Sequence, residues 1–485
     1  MRVWSAYTPK FNNVKKPFME FDQSEENQEV TVSKFESMLK TNSVFFFDSN
    51  EFENIIHHYL ESGKIALAKK AIKLGLSQHP SSLNLKLFQV EILIFENKLN
   101  EADRLLSPLF EIEPNNEELY IQKANIYSKK DQHEKAIEVF KSAIKISDDC
   151  ADLYSLIGME YLFLDRFQEA KVNFIKCIKL DVEDYSALYN IIYCFDFLDD
   201  TEGAIEYLNS YLDKNPYCEV AWHQLGKQYT ESKELIKAIT AFDFAIISDD
   251  TFIGAYLEKA KVLEKLKRFE EAIENYKITI AIEDSNPYAL IKIGYCFERL
   301  GNEELALQHY YLAVEEDPAL DKGWMRITKF FNSKKDYLKA LFYINKAIDI
   351  DPESASYWRL YSTINERLNK LEEAERGYKK TLELGDNELN TWLSRGDILI
   401  KLGEDEAAKF NFVQALEYHP KSEELEFRLS GVCLKLNNME AGYAHLLTGL
   451  HINSEHVFIL EELFPEVYNR KAVLQLIENF KNTYK

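Results

Sequence analysis

Few residues in this chain combine the types and the spacing that covalent or metal chemistry needs. Glu53, His57 and His58 put an i, i+4 pair of potential metal ligands on one helix face. A metal site needs at least a third ligand in register, and without one the histidines read as ordinary, partly exposed residues. The six cysteines, Cys150, Cys177, Cys194, Cys218, Cys296 and Cys433, form no Cys-x-x-Cys pair. They are too dispersed for a disulfide framework, suit a reducing compartment, and fall where small apolar residues pack. Acidic doublets such as Asp148-Asp149 and Asp199-Asp200 fall in turns and read as solvated caps rather than catalytic dyads. No phosphate-loop, dinucleotide, zincin or hydrolase-elbow string occurs. The sequence therefore assigns no catalytic residue, no metal ligand and no cofactor, and predicts a protein that is not an enzyme.

Composition narrows the class further. Of 485 residues, 46% are hydrophobic and 29% charged, enough apolar material for a large core. A net charge of −23 repels phosphate backbones and argues against nucleic-acid binding. The opening segment lacks the apolar core of a signal peptide, and no 18-residue apolar run is present, so no membrane span is expected. The expected location is cytoplasmic. Residues 1–18 carry four bases and no acid, which suggests a basic arm or an over-extended start with Met19 as the initiator.

One period organises the chain. Steps of 34 residues from Ala68 land on Ala102, Ala136, Ala170, Ala204, Ala238, Ala272, Ala306, Ala340, Ala374 and Ala408, and then on Gly442. Four residues after each comes a large apolar side chain, such as Phe140, Phe174, Phe242, Tyr276, Tyr310 or Phe412. Twelve residues after comes a helix stopper in Pro80, Pro114, Pro216, Pro318, Pro352 and Pro420. Numbering each unit from 1, with the first unit opening at Ser49, puts the alanine at position 20. Position 15 holds residues that tolerate a left-handed helix end: Gly63, Asn97, Asp131, Asp165, Asp199, Gly301, Asn369, Gly403 and Asn437. Positions 4, 7, 8 and 11 form one buried stripe at helical spacing. Small residues at position 8, among them Gly158, Gly226, Gly294 and Gly396, are expected to meet the alanine at position 20.

These motifs resemble the tetratricopeptide repeat over twelve units without insertion. The family's first-helix pattern stands as Trp222, Leu225, Gly226, Tyr229, and again as Tyr154, Ile157, Gly158, Tyr161, with Trp324, Trp358 and Trp392 in the tryptophan slot. The departures are Ile192, Thr328 and Ser362 at the glycine position, and Asn365 at the tyrosine position. The predicted fold is all-α: one continuous right-handed α-solenoid of helix-turn-helix units. Residues 1–48 form an N-terminal arm with a short capping helix at 33–39, its Phe35, Met38 and Leu39 on one side and irregular chain before it. Residues 49–456 hold the twelve repeats, and 457–485 a degenerate cap interrupted by Pro465.

The resemblance implies that first-helix positions 2, 5, 6, 9, 12 and 13 line a concave groove for extended peptides or partner helices. The N-terminal half of that face is aromatic and apolar, with Phe88, Phe95, Met159, Phe163, Tyr193 and Phe197. The C-terminal half is basic, with Lys261, Lys292, Lys322, Arg326, Lys329 and Arg359. Some members grip an acidic C-terminus with a carboxylate clamp. Lys322 and Arg326 match its last element, while Leu257, Lys261 and Lys292 depart from the preceding ones. The expected function is a non-catalytic scaffold or adaptor for other proteins with acidic or apolar segments. The alternative is a regulatory subunit or sensor that takes a small anionic molecule or glycan in the basic part.

Overall fold

The computed structural model describes residues 21–41 and 45–483, and among them there is no β-strand. First helices open at Ser49, Leu83, Glu117, Ala151, Tyr185, Glu219, Ile253, Pro287, Asp321, Ala355, Leu389 and Glu423, each 34 residues after the last. Second helices open at Ile65, Leu99, His133, Phe167, Thr201, Leu235, Phe269, Glu303, Tyr337, Leu371, Asp405 and Met439, again 34 apart. The chain is thus a succession of helical hairpins, the α-solenoid the period predicts. The hairpins group into two compact units, one ending at Pro216 and the other beginning at Tyr217.

Inside a hairpin the two helices meet on small residues. The position-20 alanines from Ala68 to Ala408 are wholly buried, and the position-24 side chains that follow them are buried too. The glycine at position 8 answers to that position-24 ring more than to the alanine. A Cβ on Gly226 would lie 2.5 Å from Phe242, on Gly294 2.5 Å from Tyr310, and on Gly396 2.1 Å from Phe412. At these hairpins a ring is laid over the glycine, nearer to it than any atom of the alanine. At Gly294 the alanine also comes close, through the Ala306 carbonyl at 3.0 Å.

At four junctions an aromatic residue at position 4 ties one hairpin to the one before it, its polar atom donating to the backbone carbonyl at position 32 of the preceding repeat. Tyr120 reaches Pro114 O at 3.1 Å, Tyr256 Asp250 O at 3.2 Å, Trp324 Pro318 O at 2.9 Å and Trp358 Pro352 O at 2.9 Å. A residue with no N–H ends the second helix at the prolines among these sites, and its free carbonyl receives the next repeat's aromatic donor.

Position 15 has positive φ in all twelve repeats. Besides the nine Gly, Asn and Asp residues, Lys233, Lys267 and Lys335 adopt it at φ 63, 61 and 60°. Two helices also differ from expectation. The N-terminal helix runs Phe21–Thr41, so 21–32 is helical rather than irregular; its Phe35 and Met38 pack with Phe47, Phe52, Ile55 and Tyr59. The second helix of repeat 2 breaks into Leu99–Leu106 and Leu109–Ile112 around Pro108, which cannot donate to the helical ladder. The chain closes with short helices Phe458–Leu463 and Pro465–Tyr468 and the longer Lys471–Thr483, whose Val473 and Ile477 are buried. The reading of 1–18 lies outside the described residues.

Left-handed backbone costs a side-chain-bearing residue about 1–2 kcal/mol, part of which glycine gives back as chain entropy. Lys233→Gly, Lys267→Gly and Lys335→Gly should each raise unfolding free energy by about 0.5–1 kcal/mol in denaturant titrations followed by circular dichroism. A loss of stability would mean that these lysines contribute through their side chains.

Candidate functional site: the first-helix faces

In the first unit, the aromatic residues of the first-helix face are open to solvent. Phe95 is 72% and Phe197 56% exposed, and Phe163 and Tyr193 are also exposed. Three of the four lie against another ring. Phe197 stacks on Phe167, the opening residue of the preceding repeat's second helix, at 4.6 Å, and Tyr193 lies 4.7 Å from Phe197. Phe163 stacks on His133 at 5.1 Å. Phe88 is half-buried, its ring edge-on to His57 at 4.9 Å, while the Met159 sulfur receives Asn190 Nδ2 at 3.7 Å. The structure therefore joins Tyr193 and Phe197 with Phe167, leaves Phe88 and Phe163 on separate histidine rings, and leaves Phe95 largely exposed.

Acidic and amide groups on the same face escaped a reading that looked only for apolar and basic types. Glu91 stands at position 9 of repeat 2, and Glu118, Gln122 and Asn125 at positions 2, 6 and 9 of repeat 3. Burial, and then the Glu118 charge, push the Glu91 carboxyl up to about 7. Burial also raises Glu118, against the Gln122 hydrogen bond that lowers it. The signal in the sequence was their position in the repeat, not their chemistry.

In the second unit the basic residues are interleaved with tyrosines. Tyr288 lies 5.6 Å from Lys261 Nζ and 5.7 Å from Lys292 Nζ. Tyr295 lies 5.8 Å from Lys292 Nζ and 4.9 Å from the Arg326 guanidinium. Lys261, Lys292 and Arg326 are thereby brought onto one ladder of cations and rings. Lys322 and Lys329 are exposed and form no ion pair among the described residues. Arg359 is drawn aside by Asp386, at 3.2 Å, and by Glu388.

Counter-ions are built into this ladder. Lys261 meets Glu258 at 2.8 Å, Lys292 meets Glu264 at 3.1 Å and Arg326 meets Glu298 at 4.0 Å. Two of these carboxylates are fixed from below. The buried Tyr276 hydroxyl donates to Glu264 at 2.5 Å, and Tyr310 donates to Glu298 at 2.7 Å. Burial, and then these hydrogen bonds, hold both phenols far above their ordinary range, so they remain donors. His223, at position 5 of repeat 6, has both ring nitrogens buried without a partner, and burial pushes it down to about 4. It is neutral at physiological pH.

The cysteines offer no comparable site. All but Cys150 are buried, and burial lifts the Cys194 and Cys296 thiols to about 12, leaving them protonated. No group of three His, Cys, Asp or Glu among the described residues could hold a metal ion. No described helix is long and apolar enough to cross a membrane.

Comparison with known proteins agrees with this architecture. Family models described as tetratricopeptide repeat match residues 117–150, 151–183, 186–216, 257–321 and 389–422. The chain thus carries tetratricopeptide repeats in both of its units. It is 22% identical to BBSome complex member BBS4 of Bos taurus over 334 residues, covering 68% of this chain and 64% of that protein. It is 26% identical to anaphase-promoting complex subunit 3 of Schizosaccharomyces pombe over 184 residues, 37% of this chain and 28% of that one. The chain thus spans less than two thirds of the length of these curated relatives. Among solved structures, the anaphase-promoting complex hetero-tetramer Cut9–Hcn1 covers 84% of this chain at 13% identity, with a TM-score of 0.36 and 94% of that chain covered.

The Glu91 shift makes a sign-definite prediction. The folded carboxyl keeps its proton up to about pH 7, whereas the unfolded one releases it near 4.5. Between those values the folded state binds more protons, so stability falls as pH rises through the window. Glu91→Gln should be near neutral at pH 5 and should stabilise at pH 8, by up to about 3 kcal/mol. Thermal melts at the two pH values check this, and an equal effect at both would contradict it.

Proposed function

We propose that this chain is a non-catalytic scaffold that holds other proteins by segments lying along the first-helix faces. Its second unit takes acidic segments and its first unit apolar ones. The observation that carries the reading is the ladder of Lys261, Lys292 and Arg326 on Tyr288 and Tyr295, with exposed Lys322 and Lys329 beside it, in a chain of charge −23. The names of the relatives as subunits of multiprotein complexes point the same way.

Physical chemistry sets the terms of such binding. The Arg326–Glu298 pair is long and partly solvated, of a kind worth about 0–1 kcal/mol, so an incoming carboxylate can displace it. Glu298 cannot follow, because Tyr310 anchors it. Arg326 can then offer a carboxylate two parallel hydrogen bonds, with the lysines acting as point charges. Rings flanking the cations accept the apolar parts of the segment.

Acidic peptides ending in a free carboxylate after aspartate or glutamate should bind, with affinity falling as salt rises. Lys322→Glu with Arg326→Glu should abolish that binding in fluorescence anisotropy, while charge reversal at Lys64 or Lys70 in the first unit should not. Undiminished binding by the double variant would reduce the ladder to solvated surface. In the first unit, Phe197→Ser should weaken capture of apolar helical peptides at little cost in melting temperature, since Phe197 is largely exposed. A large drop in melting temperature with capture intact would make the ring structural.

A further inference from the structure

Repeats 2 and 3 gather hydrogen-bond acceptors that lack donors. Gln122 is only 6% exposed, and its Nε2 donates to Glu118 Oε1 at 2.7 Å. That bond fixes which way the amide points, because the opposite orientation would set two acceptors against each other. The Gln122 Oε1 is left buried with no partner, and Asn125 Oδ1, one turn further along the helix, is buried without a partner as well. Residues 118, 122 and 125 share one helix face at i, i+4 and i+7. The Glu118 charge also bears on Glu91 in the neighbouring first helix. The nearest base on the same helix, Lys123, is committed to Asp103 at 2.5 Å.

The buried atoms left over, Gln122 Oε1 and Asn125 Oδ1, are acceptors, and Glu118 and Glu91 add carboxyl oxygens from the same helix and its neighbour. A buried acceptor without a donor carries a desolvation cost, and two partly buried carboxylates that feel each other's charge add to it. The group that relieves both is one that is cationic and has donors only. Guanidinium fits best, since five N–H donors in a plane can serve several acceptors at once. The flanks are apolar: Phe88 lies one turn before Glu91, and Leu156 and Met159 hold in repeat 4 the positions that Gln122 and Asn125 hold in repeat 3.

We propose that repeats 2 and 3 bind an arginine side chain of an extended, otherwise apolar partner segment, held by Glu91, Glu118, Gln122 Oε1 and Asn125 Oδ1. This rests on the reading of the first-helix face as the binding face, but on residues separate from the basic ladder. The chain then discriminates partners by opposite charges in its two units.

Three end-capped, fluorescein-labelled nonapeptides test it on the full chain. They differ only in the central residue, arginine, norleucine or glutamate, between leucine and phenylalanine neighbours. The arginine peptide should bind at least about tenfold more tightly than the norleucine peptide, and the glutamate peptide more weakly than either. In the variant Glu91→Gln, Glu118→Gln, checked for native helicity by circular dichroism, arginine and norleucine peptides should bind within about twofold of each other. Gln122→Leu should cut arginine binding and spare norleucine binding. Equal binding of the three peptides, no binding of the arginine peptide at 1 mM, or an arginine preference that survives in the double variant overturns the proposal. The Lys322, Arg326 variant should keep the arginine preference. Loss of acidic-peptide binding there, with arginine binding intact, keeps the two claims separable.

Discussion

Everything in this molecule depends on how closely the two helices of a hairpin approach. A wholly buried alanine at position 20 and a large apolar side chain at position 24 fix that distance, and where position 8 is glycine, as at Gly226, Gly294 and Gly396, the position-24 ring lies where a side chain would otherwise stand. Burying such a position-24 side chain contributes about 1.5–3 kcal/mol per repeat, and removing it would leave a cavity costing about 2–5 kcal/mol. Because the constraint recurs without a single insertion, helix starts repeat at 34 residues from Ser49 to Met439. Positions 2, 6 and 9 of adjacent first helices then fall beside one another within each unit. The face that could bind partners is thus a by-product of a packing rule on the opposite side of the same helices.

That face is electrostatically organised from beneath. Where position 24 is tyrosine, its hydroxyl reaches through the hairpin to a glutamate at position 12, as Tyr276 does to Glu264 and Tyr310 to Glu298. Each glutamate in turn faces a base at position 6 of the next repeat, Lys292 or Arg326. Core and surface are therefore coupled by a tyrosine–glutamate–base relay. Where position 24 is phenylalanine or leucine no such tether exists, and the first unit builds its face from rings, carboxylates and amides instead.

Periodic features were legible in the sequence because each was repeated: helix starts, buried alanines, left-handed corners and proline stops. Features peculiar to one repeat were not. Pro108 breaks a helix that the period alone would draw whole, and Lys233, Lys267 and Lys335 occupy left-handed corners that no lysine advertises. The helix from Phe21 lies outside the repeat and had no register to reveal it. The basic residues and the glutamates able to pair with them, Glu258, Glu264 and Glu298, were legible by type and position, but which one each base takes, as Lys292 takes Glu264 28 residues away, is fixed only on folding. Gln122 and Asn125 are polar residues of no special pattern, and only their buried, partnerless oxygens mark them.

The account's central claim is that partners engage the first-helix face, and hydrogen exchange measures that face directly. With a saturating acidic peptide, exchange should slow in Pro287–Arg299 and Asp321–Ser333 and stay unchanged in the second helices Glu303–Glu316 and Tyr337–Ile350. Protection confined to the second helices, or spread evenly over both, would contradict it.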